Sequence, residues 1–302
     1  MTNKKKYLLR KVLYREVSPW VELARYDKPI GFMLLFWPCI WSLLIHGVKI
    51  SEFPPISFFI LFFIGSIIMR GAGCTWNDFL DKDFDKNVER TKNRPLASKR
   101  VSNQGAIIFL LLQLIIGLTI LLQFNRLVIL IGCLSLFPIF IYPFMKRITW
   151  WPQVFLGITF NWGAILGWIS FSNGLSYYPV MLYISCIFWT VGYDTIYAHQ
   201  DREEDAILGL KSSALWLGEN TKKALILFYL IFFIIFSSTL LTVKVSLLIY
   251  LLILILFVHL LLQIFYLKIN ERENCLKIFK SNNSLGFIVS FFLTLEILFN
   301  SL

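Results

Sequence analysis

The chain has 302 residues, of which 57% are hydrophobic and only 16% are charged, and its formal net charge is +11. A soluble domain carries about 25% charged residues, so this composition excludes an ordinary soluble protein and indicates a membrane protein. The apolar runs are long and continuous rather than alternating, which favours spanning helices over barrel strands. We therefore predict an all-α, polytopic membrane protein.

The first predicted element is a basic N-terminal segment over 1–28, in which apolar and basic residues mix at roughly helical spacing. Such a segment is typical of an interfacial helix on an anionic membrane surface, with a disordered basic tail as the alternative up to Pro19. A single transmembrane domain over 29–302 follows, because nine apolar runs there have spanning length. Their predicted bounds are 30–47, 54–73, 104–124, 127–145, 152–171, 177–198, 222–242, 244–267 and 285–301.

The basic residues orient these spans. With the N-terminus in the cytoplasm, only Lys49, Arg126 and Lys244 of the 29 Lys and Arg residues fall on the outer side. This distribution obeys the positive-inside rule and predicts a bacterial inner membrane protein with a cytoplasmic N-terminus. Because topology accounts for the positive charge, we expect no nucleic-acid partner.

An acidic cluster continues the second predicted span. Asp78, Asp81 and Asp85 are spaced i, i+3 and i+7, and Asn77 lies beside them, which places these side chains together on one helix face. Like charges stacked on a helix face repel, and a divalent cation removes the repulsion. Since Mg²⁺ prefers oxygen ligands and binds carboxylates together with substrate phosphates, the cluster predicts a magnesium site.

A second acidic cluster continues the sixth predicted span. Asp194, Tyr197, Asp201 and Asp205 are spaced i, i+3, i+7 and i+11, so on a continuous helix they would share one face. Arginine forks and lysine charges suit phosphate oxygens. The basic residues that follow the two clusters are Arg90, Lys92, Arg94 and Lys211. The combination predicts a Mg²⁺-bound diphosphate, with lipid headgroup contact as the alternative for the basic residues alone.

At these residues the chain resembles the UbiA superfamily of membrane prenyltransferases. The superfamily's first motif, N-D-x-x-D-x-x-x-D, matches 77–85, and its second, D-x-x-x-D, matches 201–205. Other segments resemble the branch that prenylates 4-hydroxybenzoate in ubiquinone synthesis. They are 25–41, 90–98, 142–153 and 193–214.

The resemblance implies nine helices around a central cavity, with the acidic loops at its cytoplasmic face and Mg²⁺ between both motifs and a polyprenyl diphosphate. It further implies transfer of the polyprenyl group to the ring of 4-hydroxybenzoate, ortho to the hydroxyl, with release of pyrophosphate. The implied metal ligands are Asn77, Asp78, Asp81, Asp85, Asp201 and Asp205, of which Asp81, Asp85, Asp201 and Asp205 are also assigned catalytic roles.

The carboxylate of the aromatic acceptor requires a cation. Arg147 is the first candidate and Arg25 the second, while Asp194 and Tyr197 are secondary members of the site because they extend the second motif into the membrane. The sequence indicates neither the prenyl chain length nor any protein partner.

Three alternatives compete with this interpretation. Other branches of the superfamily, which make menaquinone or haem O, would share the metal chemistry and differ in the acceptor. A CDP-alcohol phosphotransferase would need a D-G-x-x-A-R pattern, which is absent from the sequence. A membrane cation transporter would place its acidic residues near the bilayer midplane, whereas these lie at the ends of predicted spans.

Overall fold

The computed structural model describes residues 17–300 apart from Val88 and Arg90. Among these residues, nine helical segments are long and apolar enough to cross a membrane, and none of the residues forms a strand. The chain is therefore an integral membrane protein, and the predicted all-α class and nine spans are confirmed. The cytoplasmic N-terminus and the central cavity stay predictions, and most of the predicted interfacial segment, 1–16, lies outside the described residues.

Residues 17–23 are helical and precede the spans. The helices that follow are α1 Ile30–Ile50, α2 Ile56–Asp85, α3 Asn103–Leu121, α4 Arg126–Leu134, α5 Leu136–Ile141, α6 Met145–Ile148, α7 Pro152–Phe160, α8 Gly163–Ser172, α9 Tyr177–Ala198, α10 Arg202–Ile207, α11 Ser213–Leu217, α12 Thr221–Val243, α13 Leu247–Tyr266 and α14 Arg272–Asn300. The fourth span combines α4 to α6, the fifth α7 and α8, and the seventh α11 and α12.

The fourth and fifth spans are interrupted rather than continuous. In the fourth, α4 ends at Leu134 because Pro138 has no backbone N–H to donate to the Leu134 carbonyl. In the fifth, α7 ends at Phe160, and the Asn161 side chain donates to the Gly157 carbonyl at 2.7 Å. A buried side-chain amide thus satisfies backbone groups at the break, as the interior of a membrane protein requires.

The chain divides into two compact units, Met1–Phe32 with Gly65–Ile120 as unit 1, and Met33–Ile64 with Leu121–Leu302 as unit 2. The prediction of a single domain over 29–302 stays a prediction. Within unit 1, the connection after α2 packs against 17–23 and the start of α3. The buried members of that core are Leu23, Leu96, Val101 and Ala106, with Trp20, Phe79 and Phe109 against them.

Unit 2 is centred on two buried tryptophans. The Trp41 and Trp189 rings have centroids 4.8 Å apart, and both are fully buried. Trp41 Nε1 donates to the Gly286 carbonyl at 3.1 Å, and Trp189 Nε1 donates to Asn282 Oδ1 at 2.8 Å. These bonds join α1 and α9 to α14. The helix begins at Arg272 rather than near 285, and Asn282, one of the polar residues in this earlier part, has a buried partner in Trp189.

Two glycines bring α8 close to α1 in unit 2. A Cβ at Gly163 would collide with the Cys39 side chain, and one at Gly167 would collide with the Cys39 carbonyl. The Ser42 hydroxyl donates to the Ala164 carbonyl at the same crossing. Small residues one helical turn apart allow backbones to approach closely where the surrounding lipid provides no hydrophobic driving force.

Candidate active site

The first acidic cluster lies at the C-terminal end of α2, which continues without a break to Asp85. Asp78 and Asp81 are each 1% exposed and Asp85 is 7% exposed. The side chain of Asp83, on the other face, is 72% exposed and pairs with Lys86 at 2.7 Å. The helical periodicity therefore separates three buried carboxylates from one that faces outward. Asn77, beside them, is half-buried.

Two arginines neutralise the buried carboxylates within unit 1. Arg25 Nη2 lies 2.7 Å from Asp78 Oδ2 and 2.9 Å from Asp78 Oδ1. Arg94 Nη1 lies 3.2 Å from Asp78 Oδ1 and 2.9 Å from Asp85 Oδ2. Arg94, predicted to bind diphosphate, and Arg25, a candidate for the acceptor carboxylate, are both engaged with the first motif.

The charge of Arg94 is secured by these neighbours. Burial disfavours its charged form, but the carboxylates of Asp78 and Asp85 outweigh that effect and raise the pKa of Arg94 above its ordinary value. Arg94 also shapes the connection that carries it, because its carbonyl accepts from the Ser98 hydroxyl at 2.7 Å. The cluster therefore requires positive charge, and a guanidinium supplies it.

The chemistry of this cluster fits a divalent cation. Carboxylate oxygens are ligands that Mg²⁺ takes, and the carboxylates of α2 already gather cationic groups around them. Within the described residues, no three His, Cys, Asp or Glu side chains converge on one ion position. Instead, the guanidiniums of Arg25 and Arg94 supply the positive charge beside Asp78 and Asp85.

The second acidic motif does not continue α9 as one helix. The helix ends at Ala198, and Asp201 lies in the turn before α10 with φ −110° and ψ 4°. The Asp205 amide donates to the Asp201 carbonyl at 2.8 Å, so the two acids are joined by the first turn of α10. The expectation that Asp194, Tyr197, Asp201 and Asp205 share one continuous helix face is therefore wrong.

His199 follows the last residue of α9 and is held by a buried contact. Its Nε2 lies 2.9 Å from the Thr221 hydroxyl, which in turn donates to the Gly218 carbonyl at 2.7 Å. Burial lowers the pKa of His199 to about 4, with Arg202 adding to the effect, so the ring is neutral near pH 7. This buried contact ties the end of α9 to the start of α12.

Asp194 and Tyr197 remain on α9, on the membrane side of this turn. Both side chains are half-buried, and the Tyr197 ring packs on Phe279 with centroids 4.7 Å apart. The helix therefore positions them next to the second motif within unit 2.

The structure joins the segments of Arg147 and Lys211, which the sequence assigned to different substrates. The Lys211 amide donates to the Lys146 carbonyl at 2.8 Å, and Lys211 Nζ donates to the Ile148 carbonyl at 3.0 Å. Nearby, the Ser213 amide donates to Gln153 Oε1 at 3.1 Å. The exposed Arg147 at the end of α6 thus lies beside the basic end of the second acidic loop.

Two further residues, Lys92 and Arg90, were predicted to bind the diphosphate. Lys92 pairs with Glu89 at 2.6 Å, and the two side chains are 45% and 82% exposed, so this ion pair lies at the surface. Arg90 lies outside the described residues. Sequence reasoning also missed Tyr26, Thr75 and Gln113, although a glutamine inside the apolar run 104–124 is a detectable signal.

Comparison with known proteins matches residues 35–293 to the model of the UbiA prenyltransferase family. A protein of Drosophila pseudoobscura pseudoobscura named 4-hydroxybenzoate polyprenyltransferase, mitochondrial, is 44% identical over 289 residues, which are 95% of this chain and 72% of that protein. A Homo sapiens protein of the same name is 43% identical over 276 residues, covering 91% of this chain and 74% of that protein.

Solved structures share the fold. The apo structure of a UbiA homolog from Aeropyrum pernix matches with a TM-score of 0.73 and 20% identity, covering 88% of this chain and 98% of that chain. A UbiA homolog from Archaeoglobus fulgidus bound to DMAPP and Mg²⁺ matches with a TM-score of 0.66 and 17% identity, covering 93% and 98%. At these identities the likeness establishes the architecture.

The pairing of Arg94 with buried carboxylates yields a stability prediction. We expect Arg94→Gln to lower the unfolding free energy by about 2 kcal/mol, because Asp78 and Asp85 lose charge-assisted hydrogen bonds from a largely buried guanidinium. Added Mg²⁺ should stabilise the variant more than the wild type. Thermal unfolding of the purified protein in detergent, with and without Mg²⁺, measures both effects.

Arg100→Gln is the matched control. Its guanidinium pairs with Glu22 at 2.5 Å, but both side chains are 39% exposed. An exposed pair contributes about 0–1 kcal/mol, so this variant should unfold almost as the wild type does. Equal destabilisation by the two substitutions would contradict the special position of Arg94.

Proposed function

The chain belongs to the UbiA prenyltransferase family, and from this premise we propose that it transfers a polyprenyl group from polyprenyl diphosphate to 4-hydroxybenzoate in ubiquinone biosynthesis. The observation that carries the proposal is the 44% identity, over 95% of the chain, to a protein named for this reaction. The buried acidic face of α2 and its arginines supply the chemistry that a diphosphate donor requires.

The reaction breaks the bond between the allylic carbon of the donor and its diphosphate oxygen. A new bond forms between that carbon and the ring carbon ortho to the acceptor hydroxyl, and the ring proton leaves. We propose that Asp201 or Asp205 accepts this proton, with the released pyrophosphate as the alternative base. Asp201 suits the role because it lies in a turn rather than inside a helix, so its carboxylate is not confined to a helix face.

We propose Mg²⁺ as the cofactor, held by Asn77, Asp78, Asp81 and Asp85 of the first motif and by Asp201 and Asp205 of the second. Bound Mg²⁺ would neutralise the diphosphate and stabilise pyrophosphate as a leaving group. Support comes from the oxygen-rich, buried character of the α2 cluster. Arg94 and Lys211 would contact phosphate oxygens, as would Arg90 and Lys92 by the sequence prediction.

Arg147 is our proposed partner for the acceptor carboxylate. Arg25 is less suited to that role because its Nη1 donates to the Glu22 carbonyl at 2.5 Å while its Nη2 is held by Asp78. Arg147 is exposed, and its segment is tied to the second acidic loop through Lys211.

The site is proposed to face the side that carries the basic loops. The positive-inside rule assigns that side to the cytoplasm of a bacterial cell, with the chain in the inner membrane. The relatives quoted above carry the names of mitochondrial proteins.

Product analysis tests the function directly. Membranes containing the chain are incubated with Mg²⁺, 4-hydroxybenzoate and a series of polyprenyl diphosphates, and mass spectrometry is expected to detect 3-polyprenyl-4-hydroxybenzoate. Naphthoate and haem acceptors serve as parallel substrates. Turnover with one of these acceptors and none with 4-hydroxybenzoate would assign the chain to another branch of the family.

The acidic residues give a second prediction. Asp81→Asn and Asp201→Asn should each reduce prenyl transfer by at least about 100-fold, since a neutral amide provides much weaker metal binding. The matched controls are Asp83→Asn and Glu203→Gln, whose carboxylates are 72% and 84% exposed. Near-normal turnover in Asp81→Asn and Asp201→Asn, with normal membrane insertion, would refute the metal-site assignment.

Arg147 gives a third prediction. Arg147→Ala should raise the KM for 4-hydroxybenzoate by about tenfold and leave the KM for the donor unchanged, because loss of a charge-assisted hydrogen bond weakens acceptor binding alone. Initial rates measured as each substrate is varied provide the test. An increase confined to the donor KM would assign Arg147 to the diphosphate instead.

A further inference from the structure

Gln113 is an unusual residue for its helix. Of all the residues of α3, every one of which the structure describes, only Ala106 and Gln113 are buried, and Gln113 is 2% exposed. Its neighbours Leu111, Leu112 and Ile115 are exposed apolar side chains suited to lipid. A polar side chain directed inward from such a helix is costly unless partnered, and in membrane proteins it marks a functional contact.

Its partners lie in the segment before α1 and on α2, within unit 1. Gln113 Nε2 donates to the Tyr26 hydroxyl at 3.0 Å, and the Thr75 hydroxyl lies 3.2 Å from Gln113 Oε1 and 2.9 Å from the Gly71 carbonyl. A Cβ at Gly71 would lie 2.5 Å from Gln113 Nε2 and 2.6 Å from the Tyr26 hydroxyl. The amide and the phenol therefore rest directly on the backbone of α2, where only glycine leaves room.

The residue before Tyr26 is Arg25, whose guanidinium holds Asp78. Arg25 adopts the left-handed conformation, with φ 58°, which is unfavourable for a residue with a side chain. This conformation lets successive side chains contact the same helix two turns apart, Tyr26 at Gly71 and Arg25 at Asp78. Strained backbone of this kind persists where surrounding contacts determine it, and it concentrates at functional sites.

We propose that Gln113 is a positioning residue which, through Tyr26, sets the Arg25 guanidinium against Asp78 and so orients the carboxylates of the first motif for the metal diphosphate. Gln113 touches none of the reacting groups. Its effect passes from the Gln113 amide to the Tyr26 phenol. From there it passes through the adjacent Arg25 to the carboxylate of Asp78. The inference rests on the proposed function, since it assigns the orientation of the same metal site.

The test uses the full chain in detergent and follows thermal unfolding as Mg²⁺ is titrated in the presence of inorganic pyrophosphate. We expect Gln113→Leu and Gly71→Ala each to raise the Mg²⁺ concentration for half-maximal stabilisation by about five- to tenfold, as the loss of one or two hydrogen bonds implies. Neither prenyl donor nor aromatic acceptor is present. A different acceptor, or none, would therefore leave this titration intact while defeating the proposed function.

Two matched controls isolate the contact. Gly73→Ala makes the same substitution on α2, but nothing lies within 4 Å of the added Cβ. Thr119→Val removes a polar group from the exposed side of α3. Both should titrate as the wild type does, and an equal shift in either would overturn the proposal.

Tyr26→Phe is a second test if Gln113→Leu fails to fold, because this substitution removes only a single oxygen atom. We expect an approximately threefold shift in the Mg²⁺ titration, as for one lost hydrogen bond, and a corresponding rise in the Mg²⁺ requirement for turnover with the acceptor KM unchanged. A lower unfolding temperature with an unchanged Mg²⁺ midpoint would show that the cluster is merely structural and would overturn the proposal.

Discussion

Three carboxylates buried on one face of α2 are the constraint that organises unit 1. Charges of one sign cannot be removed from water together unless opposite charge is brought to them. Arg25 and Arg94 meet that need from opposite directions along the chain, one from the segment before α1 and the other from the connection after α2. The packing of 17–23 against Leu96 and Val101 follows, because both segments are held at the same end of α2.

Because of the same constraint, an arginine beside these carboxylates has two partners available to it, a carboxylate of α2 and a phosphate. A guanidinium that neutralises Asp85 is also the fork that best fits a phosphate. A metal diphosphate that binds at the cluster would bring positive charge to Asp85 and a phosphate group to Arg94. Arg94 would then exchange its carboxylate partner for the phosphate. The protein would then need no large rearrangement to provide a cation for the donor, since the side chain has only to exchange one oxygen pair for another.

Much of this architecture was predictable because its causes are local. Apolar runs determine the spans, and the i, i+3, i+7 spacing of Asp78, Asp81 and Asp85 shows that α2 continues beyond the apolar run. The end of α9 was not predictable, because no proline or glycine marks it and the contact that holds it, between His199 and Thr221, joins residues far apart in sequence. The partner of Arg25 was equally hidden, since a left-handed arginine has no sequence signature. The start of α14 at Arg272, earlier than the predicted span, was also not predictable, because Asn282 is polar and its partner, Trp189, lies on another helix.

The turn between α9 and α10 has a consequence for how the two motifs tolerate changes in length during evolution. An inserted or deleted residue rotates everything beyond it on a helix by about 100°. In α2, one such event before Asp81 would move the later carboxylates off the buried face. Between Ala198 and Asp201 the chain has already left the helix, and α10 begins anew at Arg202. Related sequences should therefore vary in length just before the second motif far more readily than within the first.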